Sequence, residues 1–219
     1  TWKCTGKGLA TTSLKDSVSS KEWLETTARG ADWNLGDLGD GRLISLKSFT
    51  DDDEHFTSKH LTVEAEIHYA KLHVRYVIWA YPDAPGIRTQ LWLKKPEGAA
   101  WTEPALGPGL SESFDFSSLP KSVIAFGYRA GLKCDAKPYE ILKETKLDEH
   151  AGVDWASGLV IDSGDSGIVL VKESQLHTDL KKAALAPGAF PRPGCPEAVT
   201  GLGLRVPELK TDRFRFCWA

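Results

Sequence analysis

Residues 61–69 read LTVEAEIHY, and apolar and polar side chains alternate along them at every second position. Leu61, Val63, Ala65, Ile67 and Tyr69 share one parity, while a threonine, two glutamates and a histidine occupy the other. Successive side chains of an extended strand point to opposite faces of a sheet. This period of two therefore predicts a β-strand that is buried on one face.

The same alternation continues along the chain after a short break. Residues 72–79 read LHVRYVIW and predict the second strand of an antiparallel hairpin. Residues 81–86 contain two prolines and a glycine, which interrupt a ladder, and residues 87–94 then resume the pattern. These three strands predict a meander with Trp79 and Trp92 on the face opposite most aliphatic side chains.

Shorter patterns extend this interpretation to the whole chain. We predict further strands at 122–129, 158–161, 168–171 and 214–218, a hairpin turn at 162–167, short helices at 20–28 and 178–186, and loops at 95–120 and 186–196. The fold class that follows is all-β: one large antiparallel β-sandwich of the super-sandwich type over residues 1–219, with one or two short helices.

The amino-acid composition argues against some classes of function, such as nucleic-acid binding and membrane insertion. The chain has 219 residues, of which 41% are hydrophobic and 26% charged, as in an ordinary globular protein. A net charge of -3 argues against nucleic acid as a partner, and no apolar run has the length needed to cross a membrane. Because the sequence starts at Thr1 and contains no methionine, we expect a secreted or periplasmic protein without its leader, or part of a longer chain.

The four cysteines do not have the spacing of a zinc site. They are Cys4, Cys134, Cys195 and Cys217. Chain termini often lie close together in a domain, so a bridge between Cys4 and Cys217 is geometrically plausible. The alternative is that these residues are thiols in the core.

Three polar motifs have a functional and a structural interpretation. Residues 164–167 read GDSG, as around the nucleophile of trypsin-like proteases, but IVL follows and no His-Cys dipeptide precedes them, which favours a hairpin turn. Residues 51–55 read DDDEH and lack the spaced, glycine-containing loop of a calcium site, which favours a solvated loop. Residues 171–177 read VKESQLH. Their charged side chains have two interpretations: they orient a polar ligand in a loop that follows a strand, or they only keep the end of the strand in contact with water. We expect no metal and no cofactor.

Tryptophan is the compositional feature that bears most on function. Eight are present, and a flat indole stacks on sugar rings as well as filling β-sheet cores. Two of them, Trp33 and Trp155, directly follow aspartates. A carboxylate beside an indole combines hydroxyl binding with stacking, as in sugar sites.

Residues 81–92, YPDAPGIRTQLW, resemble a strand-turn-strand in the N-terminal β-sandwich of α-galactosidase-like glycoside hydrolases. Residues 156–159 and 167–174 resemble a later hairpin of such domains. The resemblance implies a non-catalytic accessory domain that binds carbohydrate and flanks a catalytic (β/α)₈ barrel of the same chain, which these residues do not contain. It nominates Arg88, Trp92 and Glu173 as substrate-binding residues, to which we add Trp33 and Trp155; the catalytic residues stay unknown.

Two other functions are compatible with the pattern. The chain is a carbohydrate-active enzyme in its own right if Glu64 and Glu66 act as paired carboxylates in a sandwich cleft. It is a protein-interaction module if an exposed strand edge recruits a partner.

Overall fold

The computed structural model describes residues 1–24, 30–34, 38–98, 111–115, 117, 121–127, 140–146, 152–153, 158–171, 188–189, 197–201 and 215–217. These residues form strands, turns and extended segments, and none of them is helical. The strands are β1 (Trp2–Thr5), β2 (Gly8–Thr11), β3 (Trp33–Asn34), β4 (Arg42–Asp51), β5 (His60–His68), β6 (His73–Ala80), β7 (Ile87–Lys94), β8 (Ser111–Asp115), β9 (Ser122–Gly127), β10 (Glu140–Lys146), β11 (Gly152–Val153), β12 (Gly158–Asp162), β13 (Gly167–Val171), β14 (Gly188–Ala189), β15 (Glu197–Gly201) and β16 (Arg215–Cys217). The predicted all-β class is confirmed for this part of the chain.

The largest sheet contains the predicted meander. Its five antiparallel strands have the order β16-β7-β6-β5-β4. A four-stranded sheet has the order β10-β9-β12-β13, a three-stranded sheet the order β15-β8-β3, and two further pairs are β1-β2 and β11-β14. Over the described residues, the predicted strands at 122–129 and 214–218 are confirmed as β9 and β16, and the hairpin around 162–167 is confirmed as β12-β13.

The tight β5-β6 turn and the burial of one face set the register of the meander. The β5-β6 hairpin closes with a hydrogen bond from Tyr69 N to Leu72 O of 2.8 Å, so that His68 lies opposite His73. His73 in turn lies opposite Lys94 in β7. A one-residue slip would turn every apolar side chain to the other face, and burial of that face therefore fixes the register.

The core lies on the aliphatic face of this sheet. Ile67, Val74, Leu91 and Leu93 are fully buried there. A second layer consists of the β1-β2 hairpin with the segments that follow it, and contributes Leu9, Trp33 and Leu38 to the same cluster. Each large apolar side chain contributes about 1.5–3 kcal/mol when it leaves water.

Hydrogen bonds to backbone carbonyls of the β1-β2 turn hold the second layer on the sheet. The hydroxyl of Tyr69 donates to Lys7 O over 2.7 Å, and Gly41 N donates to Gly6 O over 2.7 Å. Burial, and to a lesser extent the neighbouring Cys4, raise the pKa of Tyr69 well above its usual value. Its hydroxyl therefore stays protonated and able to donate at any pH near neutrality.

The helix predicted at 20–28 is wrong where the structure describes it. Ser20 has a left-handed φ of 62°, and Glu22 forms an antiparallel bridge with Lys15. The Glu22 carboxylate accepts hydrogen bonds from Ser13 Oγ at 2.5 Å and Leu14 N at 2.8 Å, which holds the segment extended. Residues 25–29 and the second predicted helix, 178–186, lie outside the described residues.

The loop predicted at 95–120 contains a strand. Residues 111–115 form β8, which pairs with β15 on one side and with β3 on the other. Its sequence, SESFD, has a single apolar residue. It therefore lacks the alternation of apolar and polar residues by which the other strands were predicted. In the loop predicted at 186–196, the structure describes only Gly188–Ala189, as β14.

The proposed bridge between Cys4 and Cys217 does not form. Cys4 is a free, partly buried thiol in β1, where its Sγ lies 3.8 Å from Thr5 O. It packs against the core cluster, and burial raises the pKa of its thiol. The interpretation of Cys4 as a core thiol therefore holds.

Candidate functional site

The face of the meander sheet that lies opposite the core carries a lattice of polar and aromatic side chains, which we call the polar face. Residues directly opposite one another in an antiparallel pair project to the same side, so the register of β4 to β7 places them in rows. The four rows are Phe49, Thr62, Trp79 and Arg88; Lys47, Glu64, Val77 and Gln90; Ser45, Glu66, Arg75 and Trp92; and Arg42, His68, His73 and Lys94.

Arg88 and Trp92, two of the residues predicted to bind substrate, both lie on this face. They are four residues apart on β7, which corresponds to about 13 Å along a strand. Both side chains are half-buried. A single small ligand does not span this distance, whereas an extended one reaches both residues.

An aromatic cluster positions Arg88. Its guanidinium lies over the ring of Trp79, 4.5 Å from the centroid, and its Nη1 donates to the Tyr81 hydroxyl over 3.3 Å. His60 lies beside both rings, with centroids 4.5 Å from Tyr81 and 5.4 Å from Trp79. A cation over an indole gains about 0.5–2 kcal/mol, so the cluster orients the guanidinium.

Trp92 lies beside hydrogen-bonding residues of β6 and β7, and it pairs with Phe216 of β16 on its other side. Its Nε1 donates to Gln90 Oε1 over 3.4 Å, and Arg75 is its cross-strand neighbour on β6. Lys94 follows two residues later on the same face. An indole with amide, guanidinium and ammonium groups around it can combine stacking with hydrogen bonding.

Two buried polar atoms near the aromatic cluster have no hydrogen-bond partner within the structure described. These atoms are His60 Nε2 and Thr62 Oγ1, and each residue is 2% exposed. His60 Nδ1 contacts Ser58 O at 2.8 Å, which leaves Nε2 as the unsatisfied nitrogen of the ring. Such atoms in proteins usually bind ordered water or a ligand group, because leaving them unsatisfied costs about 1–3 kcal/mol.

A pair of stacked histidines lies at the other end of the polar face. The rings of His68 and His73 are parallel within 3°, with centroids 3.5 Å apart. His68 Nε2 contacts Glu66 Oε1 at 2.7 Å. Burial, together with the nearby His68 and Lys94, lowers the pKa of His73, and Glu66 opposes this effect. The pair therefore favours neutral His73 near pH 7.

The structure places Trp33 away from the polar face. Trp33 belongs to the core cluster and is 4% exposed, so neither face of its indole is open to a sugar. Its neighbour Asp32 is also buried, and its two carboxylate oxygens accept hydrogen bonds from Thr11 N at 2.7 and 2.9 Å. The Asp32-Trp33 pair thus has a structural role. Glu173 and Trp155 lie outside the described residues.

Glu64 and Glu66 do not face each other across a gap. Both project from the same side of β5, two residues apart, and Glu66 is engaged by His68. Paired carboxylates of glycosidases flank the scissile bond from two sides. The arrangement therefore favours a binding surface over a catalytic pair.

The GDSG motif forms the turn of the β12-β13 hairpin. Gly164 has a φ of 93°, and Ser163 N donates to Ser166 O over 2.9 Å. Lys21 Nζ donates to Ser166 Oγ over 2.9 Å and lies 3.8 Å from Asp165. Ser166 Oγ also donates to Asp165 Oδ1 over 3.2 Å. Neither partner is the histidine base that activates the serine of a trypsin-like protease. The interpretation as a hairpin turn is confirmed.

The acidic cluster at 51–55 forms the turn between β4 and β5. Asp51 Oδ1 accepts from the backbone nitrogens of Asp52 and Asp53, and Asp52 Oδ2 contacts His55 Nδ1 at 2.7 Å. Asp53, Glu54 and His55 all have left-handed φ angles, which these local bonds support. The carboxylates therefore stabilise the turn.

The sequence predicted the shared face of Trp79 and Trp92 and singled out Arg88 and Trp92 as candidate binding residues, and it did not single out His60, Arg75 or Tyr81. The alternation of residues 72–79 and 87–94 fixes the face of Arg75 and Gln90, so this signal was present. The stacking of His60 on Tyr81 depends on the turns that bring the ends of β5 and β6 together. It has no signature in either strand alone.

The described ranges contain no candidate metal centre, since no group of three or more His, Cys, Asp or Glu side chains there is arranged to hold a metal ion. The same ranges contain no helix with the length and hydropathy required to cross a bilayer. Comparison with protein-family models, curated proteins and solved structures finds no significant match to the chain.

Proposed function

We propose that the chain is a non-catalytic accessory domain of a glycoside hydrolase, a large antiparallel β-sandwich that binds carbohydrate with its polar face and flanks a catalytic barrel of the same chain. The observation that carries the proposal is the placement of Trp92 beside Gln90, Arg75 and Lys94 on one sheet face. The resemblance of residues 81–92 to α-galactosidase-like domains supports the same class.

Sugar chemistry fits this surface. A pyranose presents C–H groups on its faces and hydroxyls around its edge, so it pairs with an aromatic ring bordered by donors and acceptors. Trp92 supplies the ring, Gln90 supplies both a donor and an acceptor, and Arg75 supplies donors. The extended row geometry suits an oligosaccharide better than a single sugar.

Trp79 has a different role from Trp92 in this proposal. Arg88 covers one side of the Trp79 ring, so Trp79 and Tyr81 orient the guanidinium toward ligand hydroxyls. Thr62, the cross-strand neighbour of Trp79, offers a buried hydroxyl for a ligand group or for a bridging water. On the resemblance, we also propose a secreted or periplasmic location, where such enzymes meet polysaccharide.

Titration of galactose- and glucose-containing oligosaccharides into the 219-residue chain tests the proposal, with tryptophan fluorescence and calorimetry as readouts. We expect saturable quenching that Trp92→Ala abolishes. Trp23→Phe is the control, because it removes an indole that lies outside the polar face. Unchanged fluorescence and no heat across a broad panel, with folded protein, would count against any sugar site.

A second candidate, a protein-interaction module, is favoured by one observation. β4 ends the meander sheet, and its apolar side chains Leu43, Ile44, Leu46 and Phe49 are exposed, Leu46 by 64%. A long edge strand with exposed apolar residues can add a strand from a partner. Lys47 and the irregularity between Leu43 and Ser45 oppose such pairing, so this function ranks second.

Light scattering on a sizing column tests the second candidate. If β4 recruits another strand, the mass of the wild-type chain rises with concentration and Leu46→Lys lowers it to that of a monomer. A monomer at every concentration for both proteins would contradict self-association through β4.

A further inference from the structure

In the described part of the chain, β4 is an edge of the meander sheet with no strand on its outer side. It ends the strand order β16-β7-β6-β5-β4 and is ten residues long. Eight of these residues are exposed, and the other two, Ser45 and Asp51, are half-buried. A long, exposed edge presents a row of backbone donors and acceptors with which another strand can pair.

The edge is also apolar on the face that carries the core. Leu43 and Leu46 lie on that face, because their partners on β5 are Ile67 and Ala65. Both β5 residues belong to the core cluster, whereas Leu43 is 40% exposed and Leu46 is 64% exposed. The apolar surface of the sheet therefore continues past the core to the outer strand, where a partner can cover it.

We propose that β4 pairs antiparallel with β4 of a second copy of this chain, in the register that places Leu46 opposite the second copy's Leu46. A two-fold axis then relates the copies, and their meander sheets join into one continuous sheet. The proposal rests on the interaction function ranked second above and names its partner. It does not depend on carbohydrate binding.

The side chains of β4 are complementary to themselves in this register. Residues directly opposite one another project to the same face, so Leu46 contacts Leu46 on the core side and Lys47 contacts Ser45 on the polar face. Each Lys47 then lies between Glu64 of its own β5 and a serine of the second copy. No two cations are therefore directly opposite one another at the centre of the pair.

The neighbouring register on the same faces is less favourable. Centred on Lys47, it places two ammonium groups directly opposite each other, which destabilises the pair. It also places Arg42 opposite Asp51, whose Oδ1 already accepts from two backbone nitrogens of its own turn. In the register centred on Leu46, the irregularity at Ile44 lies outside the central pairs, and Arg42 lies opposite the second copy's Phe49, a cation beside an aromatic ring.

Cysteine cross-linking tests the register. In the proposed pairing the two Cα atoms of residue 46 lie about 4.5–5.5 Å apart, within reach of a disulfide, whereas those of residue 48 lie about 14 Å apart. Leu46→Cys is therefore the test variant and Ser48→Cys the matched control, since both positions are exposed on the same face of β4. Wild-type protein oxidised in parallel measures any cross-linking through its own cysteines.

Light scattering on a sizing column tests the association itself, with Leu46→Lys as the disrupting variant. Its control is Val169→Lys, because Val169 is 55% exposed on β13, the edge of the four-stranded sheet. Leu46→Lys should raise the dissociation constant of the dimer at least about tenfold, and Val169→Lys should leave it unchanged. Near-ultraviolet circular dichroism confirms that each variant is folded.

We expect the wild-type mass to rise from monomer to dimer with concentration, and a cross-linked dimer to form from Leu46→Cys but not from Ser48→Cys or the wild type. Association that Leu46→Lys abolishes, without a cross-link at residue 46, would overturn the proposed register and leave the interaction function of β4 standing. A monomer at every concentration with no cross-link, or association that Leu46→Lys leaves intact, would overturn both. The carbohydrate proposal is unaffected by either result.

Discussion

His68 and His73 stack in parallel across the β5-β6 hairpin, with ring centroids 3.5 Å apart, at the edge of a cluster of arginine and lysine side chains. Two imidazoles at this distance repel each other when both are charged. Glu66 contacts His68 and not His73, so the carboxylate stabilises the charge of only one ring directly. The stacked pair therefore joins β5 to β6 and should make the stability of this hairpin depend on pH.

Acidification should weaken the fold through His73. Its pKa in the folded chain is below the ordinary value, because of burial and of the nearby His68 and Lys94. As the pH falls below about 6.5, the unfolded chain takes up this proton more readily than the folded chain, so the free energy of unfolding falls. His73→Gln should reduce this loss, as measured by urea unfolding at pH 7.5 and pH 5.

The control for this prediction is His55→Asn. His55 is 90% exposed at its side chain and lies in a left-handed turn conformation that asparagine tolerates. This variant should lose stability between pH 7.5 and pH 5 as the wild type does. Equal losses in the wild type and in His73→Gln would show that other groups dominate the acid sensitivity.

The next prediction tests the hydrophobic core through Leu91, which is fully buried between the meander sheet and the second layer. Leu91→Ala should lower the free energy of unfolding by about 2–5 kcal/mol, because it removes apolar contacts and leaves a cavity. Val18 is 93% exposed, and Val18→Ala should change stability by less than about 0.5 kcal/mol. Urea unfolding followed by tryptophan fluorescence measures both; similar effects would contradict the assigned core.

Two glycines test how closely the chain that enters β4 packs on the end of β5. A Cβ at Gly41 would lie 2.6 Å from both Ile67 Cγ2 and Tyr69 Cε1, so Gly41→Ala should cost about 1–3 kcal/mol. Nothing lies within 4 Å of a Cβ at Gly86, and Gly86→Ala should be neutral or stabilise by up to about 1 kcal/mol. Thermal unfolding distinguishes them, and a Gly41→Ala variant as stable as the wild type would show that the chain entering β4 does not pack closely on the end of β5.

The meander was predictable because a period of two runs through most of its three strands, with a strong turn signal between the last two. Residues 61–69 alternate without interruption, and residues 72–75 and 91–94 keep the same period, so the three strands appear as β5, β6 and β7 with the expected faces. β4 was not predicted, although it is the longest strand of the described residues. Its pairing with β5 shifts between Leu43 and Ser45, so Leu43 and Leu46 lie on one face and Phe49 on the other. A bulge of this kind removes the period of two from the sequence.

The candidate site was predictable only in part, for a similar reason. Strand parity places Arg88 and Trp92 on one face from sequence alone, but the neighbours of Arg88 come from three different segments. Trp79 precedes the turn, Tyr81 begins it, and His60 enters from β5. Trp33 misled the prediction, because an indole beside an aspartate fits a buried cluster as well as a binding site.

Two aspartates allow a buried acceptor to be compared with a surface ion pair. Asp32 is buried, and its carboxylate accepts from Thr11 N and from Thr11 Oγ at 2.5 Å, which joins β2 to the segment that leads into β3. Asp32→Ala should cost about 1.5–3 kcal/mol, because buried donors lose their charged acceptor. Asp40 forms a 3.1 Å ion pair with Lys7, but its side chain is 82% exposed. Asp40→Ala should cost less than about 1 kcal/mol. Urea unfolding at pH 7 measures both changes, and comparable losses would mean that Asp32 does not hold the second layer in place.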